Sequence, residues 1–166
     1  MLQINRLTFR PYHDNDFPFL QSLLQDPEVV RFIGDGNVRD DKACNDFLQW
    51  IYDTYKNGNG LGLQVLVNKQ NERVGHAGLV PQTVEGKNEI EIGYWIAKKH
   101  WGKGYATEAA LALFAFARKN IEVDRVISLI QRENTASRNV AEKLMMKIEK
   151  EIILKDKHVC VYSVQL

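Results

Sequence analysis

The chain has 166 residues, with 22 basic and 21 acidic side chains for a formal net charge of +1, and is 45% apolar and 26% charged. That length and mix suit one globular domain with a sizeable core and exclude disordered, collagen-like and coiled-coil classes. The balanced charge speaks against a dedicated nucleic-acid binder, which needs a basic excess to neutralise phosphates. Cys44 and Cys160 stand far apart with no CxxC spacing, so they read as buried apolar side chains in a reducing cytoplasm, not as a disulfide or zinc site. The opening MLQINRLTFR lacks a signal-peptide apolar stretch, and the longest apolar run, Ala109 to Ala117, is too short to span a bilayer. The expectation is a single domain over residues 1–166, soluble and cytoplasmic, with neither nucleic acid nor membrane as partner.

In chain order, residues 2–10 read as a first strand. Asp16 reads as the N-cap of a helix with Pro18 in its first turn and Phe17, Leu20, Leu23 and Leu24 at helical spacing. A second helix is predicted from about Asp41 to Lys56, with an apolar stripe of Ala43, Phe47, Trp50, Ile51 and Thr54, stopped by Asn57-Gly58. The period then changes. Leu63 to Asn68, Arg73 to Pro81 and Glu89 to Ala97 are three β-rich runs whose tight connectors, Lys69-Gln70-Asn71 and Glu85-Gly86-Lys87, make an antiparallel meander. An Ala-rich helix follows over Tyr105 to Lys119, then a strand over Arg125 to Gln131 and a helix over about Thr135 to Met146. Ile148 to Leu154 and Val159 to Leu166 form a final hairpin. The fold class is α/β: about seven strands in a mostly antiparallel twisted sheet, with helices on both faces.

The chemistry-bearing stretch runs from Glu89 to Ala109, a strand, a short loop and a helix start, with Gly102 and Gly104 at the loop–helix junction. Glycines there let backbone N–H groups turn toward a ligand, and the helix N-terminus adds partial positive charge, so the loop suits a phosphate or pyrophosphate. Lys103 adds charge from the side. A Walker A loop is excluded because Lys103 is followed by Gly104 and no first glycine has the required spacing. A dinucleotide fingerprint is excluded because Thr107 stands where a third glycine is needed. Gly58-Asn-Gly-Leu-Gly62 ends a helix and enters a strand, the wrong polarity for phosphate, and reads as a turn. His13, His76, His100 and His158 show no metal-ligand spacing, and His76 reads as a core histidine. Asp35, Asp40 and Asp41 read as capping and solvated residues, or as acidic groups that attract an amine. By period-two alternation, Glu91 shares a strand face with Glu89, Gly93 and Trp95, as a cross-strand ion pair or as a catalytic acid.

The segment Tyr94-Trp-Ile-Ala, continued by Trp101-Gly-Lys-Gly-Tyr-Ala-Thr-Glu-Ala109, resembles the acetyl-CoA loop of the GNAT N-acetyltransferase superfamily. Glu133-Asn-Thr-Ala-Ser-Arg-Asn-Val-Ala-Glu-Lys-Leu144 resembles the following helix of its RimJ/RimL-like ribosomal-protein branch, and the element order fits over essentially the whole chain. The resemblance implies a pyrophosphate loop at Trp101, Gly102, Lys103, Gly104, Tyr105 and Ala106. It implies a splayed strand whose Trp95, Ile96 and Ala97 main chain binds pantetheine. Asn134 would hold the pantetheine arm, Ser137 would lie near the thioester sulfur, and Glu91 would lie beside the acetyl group. Three positions depart from the family pattern: Trp101 replaces a Gln or Arg, Ala141 replaces a tyrosine acid, and Leu144-Met145-Met146 replaces a glycine-capped helix end. The activity implied is acetyl-CoA-dependent acetylation of a primary amine by direct attack, with a peptide or protein N-terminal α-amine favoured. The alternatives are a small polyamine or antibiotic amine as acceptor, or a non-catalytic acyl-CoA-binding sensor. Either a monomer or a homodimer is compatible with this reading, and no metal is implied.

Overall fold

In a computed structural model of the chain, residue 2 and residues 4–166 are described; of the strand expected over residues 2–10, Gln3 lies outside the described residues. Strand β1 spans Leu7–Arg10 and is followed by helices α1 (Phe17–Leu24), α2 (Pro27–Val30) and α3 (Asp41–Tyr55). The meander is β2 (Gly62–Asn68), β3 (Arg73–Val84) and β4 (Lys87–Ile96); then come α4 (Tyr105–Asn120), β5 (Arg125–Gln131), α5 (Thr135–Lys143), β6 (Lys147–Leu154) and β7 (Lys157–Gln165). The seven strands form one sheet in the order β1-β2-β3-β4-β5-β7-β6. Every neighbouring pair is antiparallel except β4 and β5, which meet in parallel at one register pair, Glu91 with Ile127.

Each face of the sheet carries its own core. On one face, Ala109, Ala110, Leu113 and Ala117 of α4 and Val140 and Ala141 of α5 pack on Leu66, Leu79, Ile92, Ile96 and Val126. The alanines let α4 approach the sheet closely. On the other face, Leu20 and Leu24 of α1 and Cys44, Leu48 and Ile51 of α3 pack on Leu63, Val65 and Val80. Of the stripe expected on α3, Ile51 and Thr54 are buried; Cys44 and Leu48 are buried beside them, Ala43 and Phe47 are partly buried, and Trp50 is exposed. Among the described residues, no helix is long and apolar enough to cross a membrane.

The β3–β4 hairpin runs further than expected, to Val84 and back from Lys87, because Glu85 (φ 47°) and Gly86 (φ 78°) form the two-residue turn that matches strand twist. Helix α2 is an addition to the expected elements. Its start signal is Asp26-Pro27: the Asp26 carboxylate accepts from Glu28 N and Val29 N, and proline fits the first helical position.

Asp16 precedes α1, yet its side chain makes no cap hydrogen bond. It is a buried anion that accepts from Arg10 Nη1 and Nη2 at 2.6 and 2.8 Å, Arg73 Nε at 2.7 Å and His13 N at 3.0 Å. Burial alone would raise its pKa; the hydrogen bonds from Arg10, His13 and Arg73 outweigh that and hold it at about 2. This ion cluster ties β1, the start of α1 and β3 together. At the other end, α5 closes with Met145 N–H on Glu142 O (2.9 Å) and Met146 N–H on Ala141 O (3.0 Å), the Schellman pattern, with Met145 at φ 61° where glycine is usual. The missing glycine is thus a strained residue in an otherwise regular cap.

Candidate active site

The site begins where β4 and β5 part. Ala97 N–H donates to Val74 O, so alternation along the ladder turns the main chain of Trp95 and Ala97 toward β3. The main chain of Ile92, Tyr94 and Ile96 consequently faces the β5 side. Past Ile127, a continuing parallel ladder would send Leu129 N–H to Ile92 O. Instead, Ile92 O accepts from the Ser128 hydroxyl at 3.0 Å, and Leu129 N–H donates to Glu91 Oε1 at 3.3 Å. Two side chains therefore satisfy the groups that the separation orphans. Beyond them lies the main chain of Tyr94 and Ile96, with Ile96 O taken by the Trp101 indole N–H at 2.7 Å. Of the three main-chain positions named from the sequence, Ile96 alone faces this edge; Trp95 and Ala97 face β3, and Tyr94 takes their place.

The loop ahead of α4 holds Gly102 at φ 74° and Gly104 at φ 80°, both in the left-handed region. A Cβ on Gly102 would meet nothing within 4 Å, so that surface is open, and no side chain caps the N-terminus of α4. The first-turn N–H groups of this 16-residue helix have no intrahelical acceptor and carry its positive dipole end. Trp101, Gly102, Lys103 and Gly104 are exposed, and Tyr105 and Ala106 are partly buried.

Arg6, which the sequence reading did not single out, organises this loop. Its Nη1 donates to Lys103 O at 2.9 Å, its Nε and backbone N donate to Glu108 at 2.6 and 2.8 Å, and its guanidinium lies 5.1 Å from the Tyr105 ring centroid. The Nη2 atom would be 3.4 Å from a Cβ on Gly104. No local signal reveals a partnership between residues 102 positions apart. The loop is braced beneath by His100, which is buried edge-on to Tyr105.

On the far side of the gap, Asn134 caps α5 by accepting from Ser137 N at 3.1 Å, and Ser137 is half-buried in the first turn. The Tyr94 hydroxyl crosses from β4 to donate to Ser137 O at 3.3 Å. Burial pushes the Tyr94 pKa up to about 12, and the charge of Glu91 acts in the same direction. Glu91 itself accepts from Gln82 Nε2 at 2.6 Å; burial raises its pKa while the bonds from Gln82 and Leu129 oppose the rise. The cross-strand ion pair falls to Glu89 instead, which pairs with Arg125. The structure thus brings Glu91, Tyr94, Ile96, Asn134 and Ser137 to the two lips of one gap, with the Gly102–Gly104 loop at its end.

Beyond Gly93 on the Glu91 face, an aromatic wall stands. Trp95 stacks on Phe47 (centroids 5.4 Å, interplanar 10°), Phe47 on Trp50 (5.1 Å, 24°), and His76 tilts against Trp95 at 4.6 Å. His76 is fully buried; Nδ1 shares a 2.7 Å hydrogen bond with the Tyr12 hydroxyl and Nε2 has no partner. Burial, reinforced by Arg39, lowers its pKa to about 3, so it is a neutral core histidine. Asp40 caps α3 through Ala43 N, Asp41 accepts from the Gln21 and Gln25 amides, and Asp35 accepts from Asn37 N. Asp40 is thus a helix cap, Asp35 a turn brace, and Asp41 a tie from α3 to Gln21 of α1 and to its C-cap, Gln25. Two surface concavities, of about 460 and 850 Å³, flank this region, one lined by Tyr12, Asp14 and Tyr52 and the other by Gln82, Asn88, Ile90 and Arg125. Among the described residues, no cluster of metal-ligating side chains occurs.

A parallel strand pair parts over a glycine loop and an uncapped helix N-terminus. Residues 6–147 match the family model described as an acetyltransferase (GNAT) domain, and the chain belongs to that family of N-acetyltransferases. The chain is 34% identical over 98% of its length to 94% of the uncharacterized protein YkkB of Bacillus subtilis (strain 168). It is similar in fold to a RimL ribosomal L7/L12 α-N-protein acetyltransferase in complex with coenzyme A (TM-score 0.80, 17% identity, covering 98% of this chain and 96% of that one). It is also similar to a spermidine N-acetyltransferase from Vibrio cholerae in complex with CoA and spermine (TM-score 0.77, 16% identity, covering 96% and 95%).

The wall makes stability depend on pH. His76 binds a proton below pH 6.5 when unfolded but not when folded, so the unfolded state gains protons as pH falls and stability drops. The loss runs from about pH 6.5 toward the folded value of about 3. At about 1.4 kcal/mol per pH unit, unfolding free energy should fall by about 2 kcal/mol between pH 7 and pH 5 from this group alone. Urea titrations at the two pH values should show that difference shrink by the same amount in His76→Gln; an unchanged difference would place the sensitivity elsewhere.

Proposed function

We propose that this chain transfers acetyl from acetyl-CoA to a peptide or protein N-terminal α-amine by direct attack. The observation that carries the reading is the parted β4–β5 edge ending at the uncapped α4 N-terminus, which offers strand-like hydrogen bonds to a pantetheine arm and N–H groups to a pyrophosphate. The fit is favourable: Gly102 and Gly104 present no Cβ to the phosphates, Arg6 Nη2 and Lys103 bring positive charge to them, and Trp101 and Ala106 flank the turn. The Tyr94 main chain and the Ile96 N–H, whose carbonyl is held by Trp101, would pair with the amide groups of the arm, and Asn134 would contact it from α5. Acetyl-CoA supplies the activated thioester, and the protein supplies orientation and proton management.

In that reaction the amine nitrogen bonds to the carbonyl carbon and the carbon–sulfur bond breaks. Glu91, whose buried carboxylate has a raised pKa, takes the ammonium proton directly or through water. The Tyr94 main-chain N–H faces the gap where the carbonyl oxygen would gain charge. Ser137, or a water it holds, returns a proton to the thiolate, since Ala141 has none to give. The Tyr94 hydroxyl, bonded to Ser137 O, positions that turn. No acyl-enzyme is required, because the amine is itself the nucleophile.

An α-amine suits this machinery better than a lysine side chain. With pKa values near 7.7–8.0 and 10.4, about a tenth or more of the former is neutral at pH 7, against about 0.04% of the latter. The deciding experiment uses labelled acetyl-CoA with matched peptides whose α-amine or lysine is blocked. Label should persist through the lysine block and vanish with the N-terminal block; the reverse pattern would overturn the acceptor assignment.

Two further outcomes test the parts. Acetyl-CoA at about 100 times its Kd should raise unfolding free energy by about 2.7 kcal/mol. Gly104→Val, which forces a β-branched residue to φ 80° beside Arg6, should abolish most of that gain in a folded protein. An undiminished gain would place the cofactor elsewhere. Ser137→Ala should lower kcat by about 10²- to 10⁴-fold with acetyl-CoA affinity little changed. A fall under threefold there, with a large one in Tyr94→Phe, would transfer the proton-donor role to the tyrosine. Normal binding with no thiol release toward any amine would support the sensor reading instead.

A further inference from the structure

Arg39 is a cation beside the site that the reaction above does not use. Four arginines are partly buried among the described residues: Arg10, Arg39, Arg125 and Arg138. Arg10 pairs with Asp16, Arg125 with Glu89 and Glu149, and Arg138 donates to the Tyr162 hydroxyl and Arg132 O. The Arg39 guanidinium has neither an ion pair nor a hydrogen bond among the described residues. It rests on the aromatic wall, its Cζ 4.3 Å from the Phe47 centroid and 5.9 Å from that of Trp95. Burial lowers its pKa, though a guanidinium stays charged at any working pH. The backbone at this point is fixed on both sides, by Arg39 N–H on Leu24 O at 3.1 Å and by the Asp40 cap of α3. Of the nearby acids, none forms an ion pair with it: Asp35, whose charge opposes the lowering by burial, accepts from Asn37 N, Asp40 from Ala43 N, and Asp41 from the two glutamine amides.

The position of this cation relative to Glu91 gives it meaning. Glu91, Gly93 and Trp95 share one face of β4, and at about 3.3 Å per residue Glu91 and Trp95 are about 13 Å apart. Gly93 leaves the strip between them without a side chain; a Cβ there would only just touch Val80 and Leu63, at 3.8 and 3.9 Å. A carboxylate thus stands at one end of a strip that carries no side chain of its own, and an unpaired guanidinium stacked on aromatic rings stands toward the other. A partly desolvated, unpaired guanidinium is matched by a carboxylate, which it can bind bidentately. We propose that Arg39 is a specificity-determining residue that binds a carboxylate of the acceptor, so that preferred acceptors are α-amines with an acidic side chain at the second or third residue. The proposal rests on the acetyl-transfer reading, with the amine at the Glu91 end. A polyamine, whose remote groups are all cationic, meets repulsion at the same point.

The test compares N-terminally free Ser-Asp-Ala-Tyr and Ser-Ala-Asp-Tyr amides with their Asn counterparts, following kcat/KM by thiol release and equilibrium binding to the CoA-loaded protein by calorimetry. At least one Asp peptide should exceed its Asn counterpart by tenfold or more in both measurements. Arg39→Gln should lower the Asp peptide by that factor, change the Asn peptide less than twofold and leave acetyl-CoA affinity intact; Arg39→Lys should restore part of the preference. Equal treatment of Asp and Asn by the parent protein, or an equal loss for both in Arg39→Gln, would overturn the proposal and make Arg39 a packing residue. If only lysine-bearing, N-blocked peptides are acetylated, the α-amine reading fails. The same Asp/Asn contrast beside the lysine then decides the role of Arg39 by itself.

Discussion

The site depends on a sheet that stops being a sheet between β4 and β5. Ending a parallel ladder inside a domain orphans main-chain groups, and a buried unpaired N–H or C=O costs about 1–3 kcal/mol. Here the cost is met locally: Ser128 gives its hydroxyl to Ile92 O and Glu91 gives a carboxylate oxygen to Leu129 N–H. Each strand is also held from its other side, β4 by its antiparallel ladder to β3 and β5 by its ladder to β7. The gap is therefore a built feature, kept open by side chains that cap it and by neighbours that stop the two strands from closing.

The loop at the end of the gap follows the same economy. Two left-handed glycines turn the chain so that an uncapped helix end faces outward, an arrangement that is unfavourable until an anion arrives. Arg6 supplies the restraint that the glycines lack, clamping Lys103 O and Glu108 from a different part of the chain. Glu108 in the first turn of α4 also offsets part of the helix dipole. The segment around Arg6 is thus joined in space to the glycine loop, although about a hundred positions separate them in sequence.

Much of this was legible from residue patterns. The order of elements, the meander, the glycine loop and the final hairpin follow from local periodicity and turn chemistry, which act over a few residues. What was not legible depends on pairing at a distance. Which β4 residues turn their main chain toward the gap is a matter of register parity, set by Ala97 on Val74, and local sequence carries no sign that Tyr94 faces it together with Ile96. Asp16 has the spacing of an N-cap, but two arginines from β1 and β3 claim its carboxylate. On α3, Ile51 and Thr54 are buried as their spacing predicts, while Cys44 and Leu48 take the core positions of their neighbours Ala43 and Phe47, which local spacing does not separate from them. Arg6 carried no signal at all. Helix α2 is different in kind: Asp26-Pro27 was a readable start signal that its short run of apolar residues left unclaimed.

Glu91 illustrates how support and chemistry share one side chain. Its carboxylate holds Leu129 N–H at the break in the ladder, and on the proposed reading it is also the base. The two roles make opposite demands on the proton. Bonds from Gln82 and Leu129 favour the ionised form, while burial disfavours it, and the net result is a raised pKa. A carboxylate oxygen has two lone pairs, so accepting from Leu129 leaves room for a water or an ammonium hydrogen. Truncating this side chain would therefore confuse loss of a base with an orphaned strand, whereas a glutamine keeps an acceptor for Leu129 and removes only the ability to take a proton. The balanced charge of the whole chain provides no strong long-range field to attract an acceptor. On this reading, selection among amines falls to local groups spaced along β4, with Glu91 at the reacting end and the cation on the aromatic wall at the other.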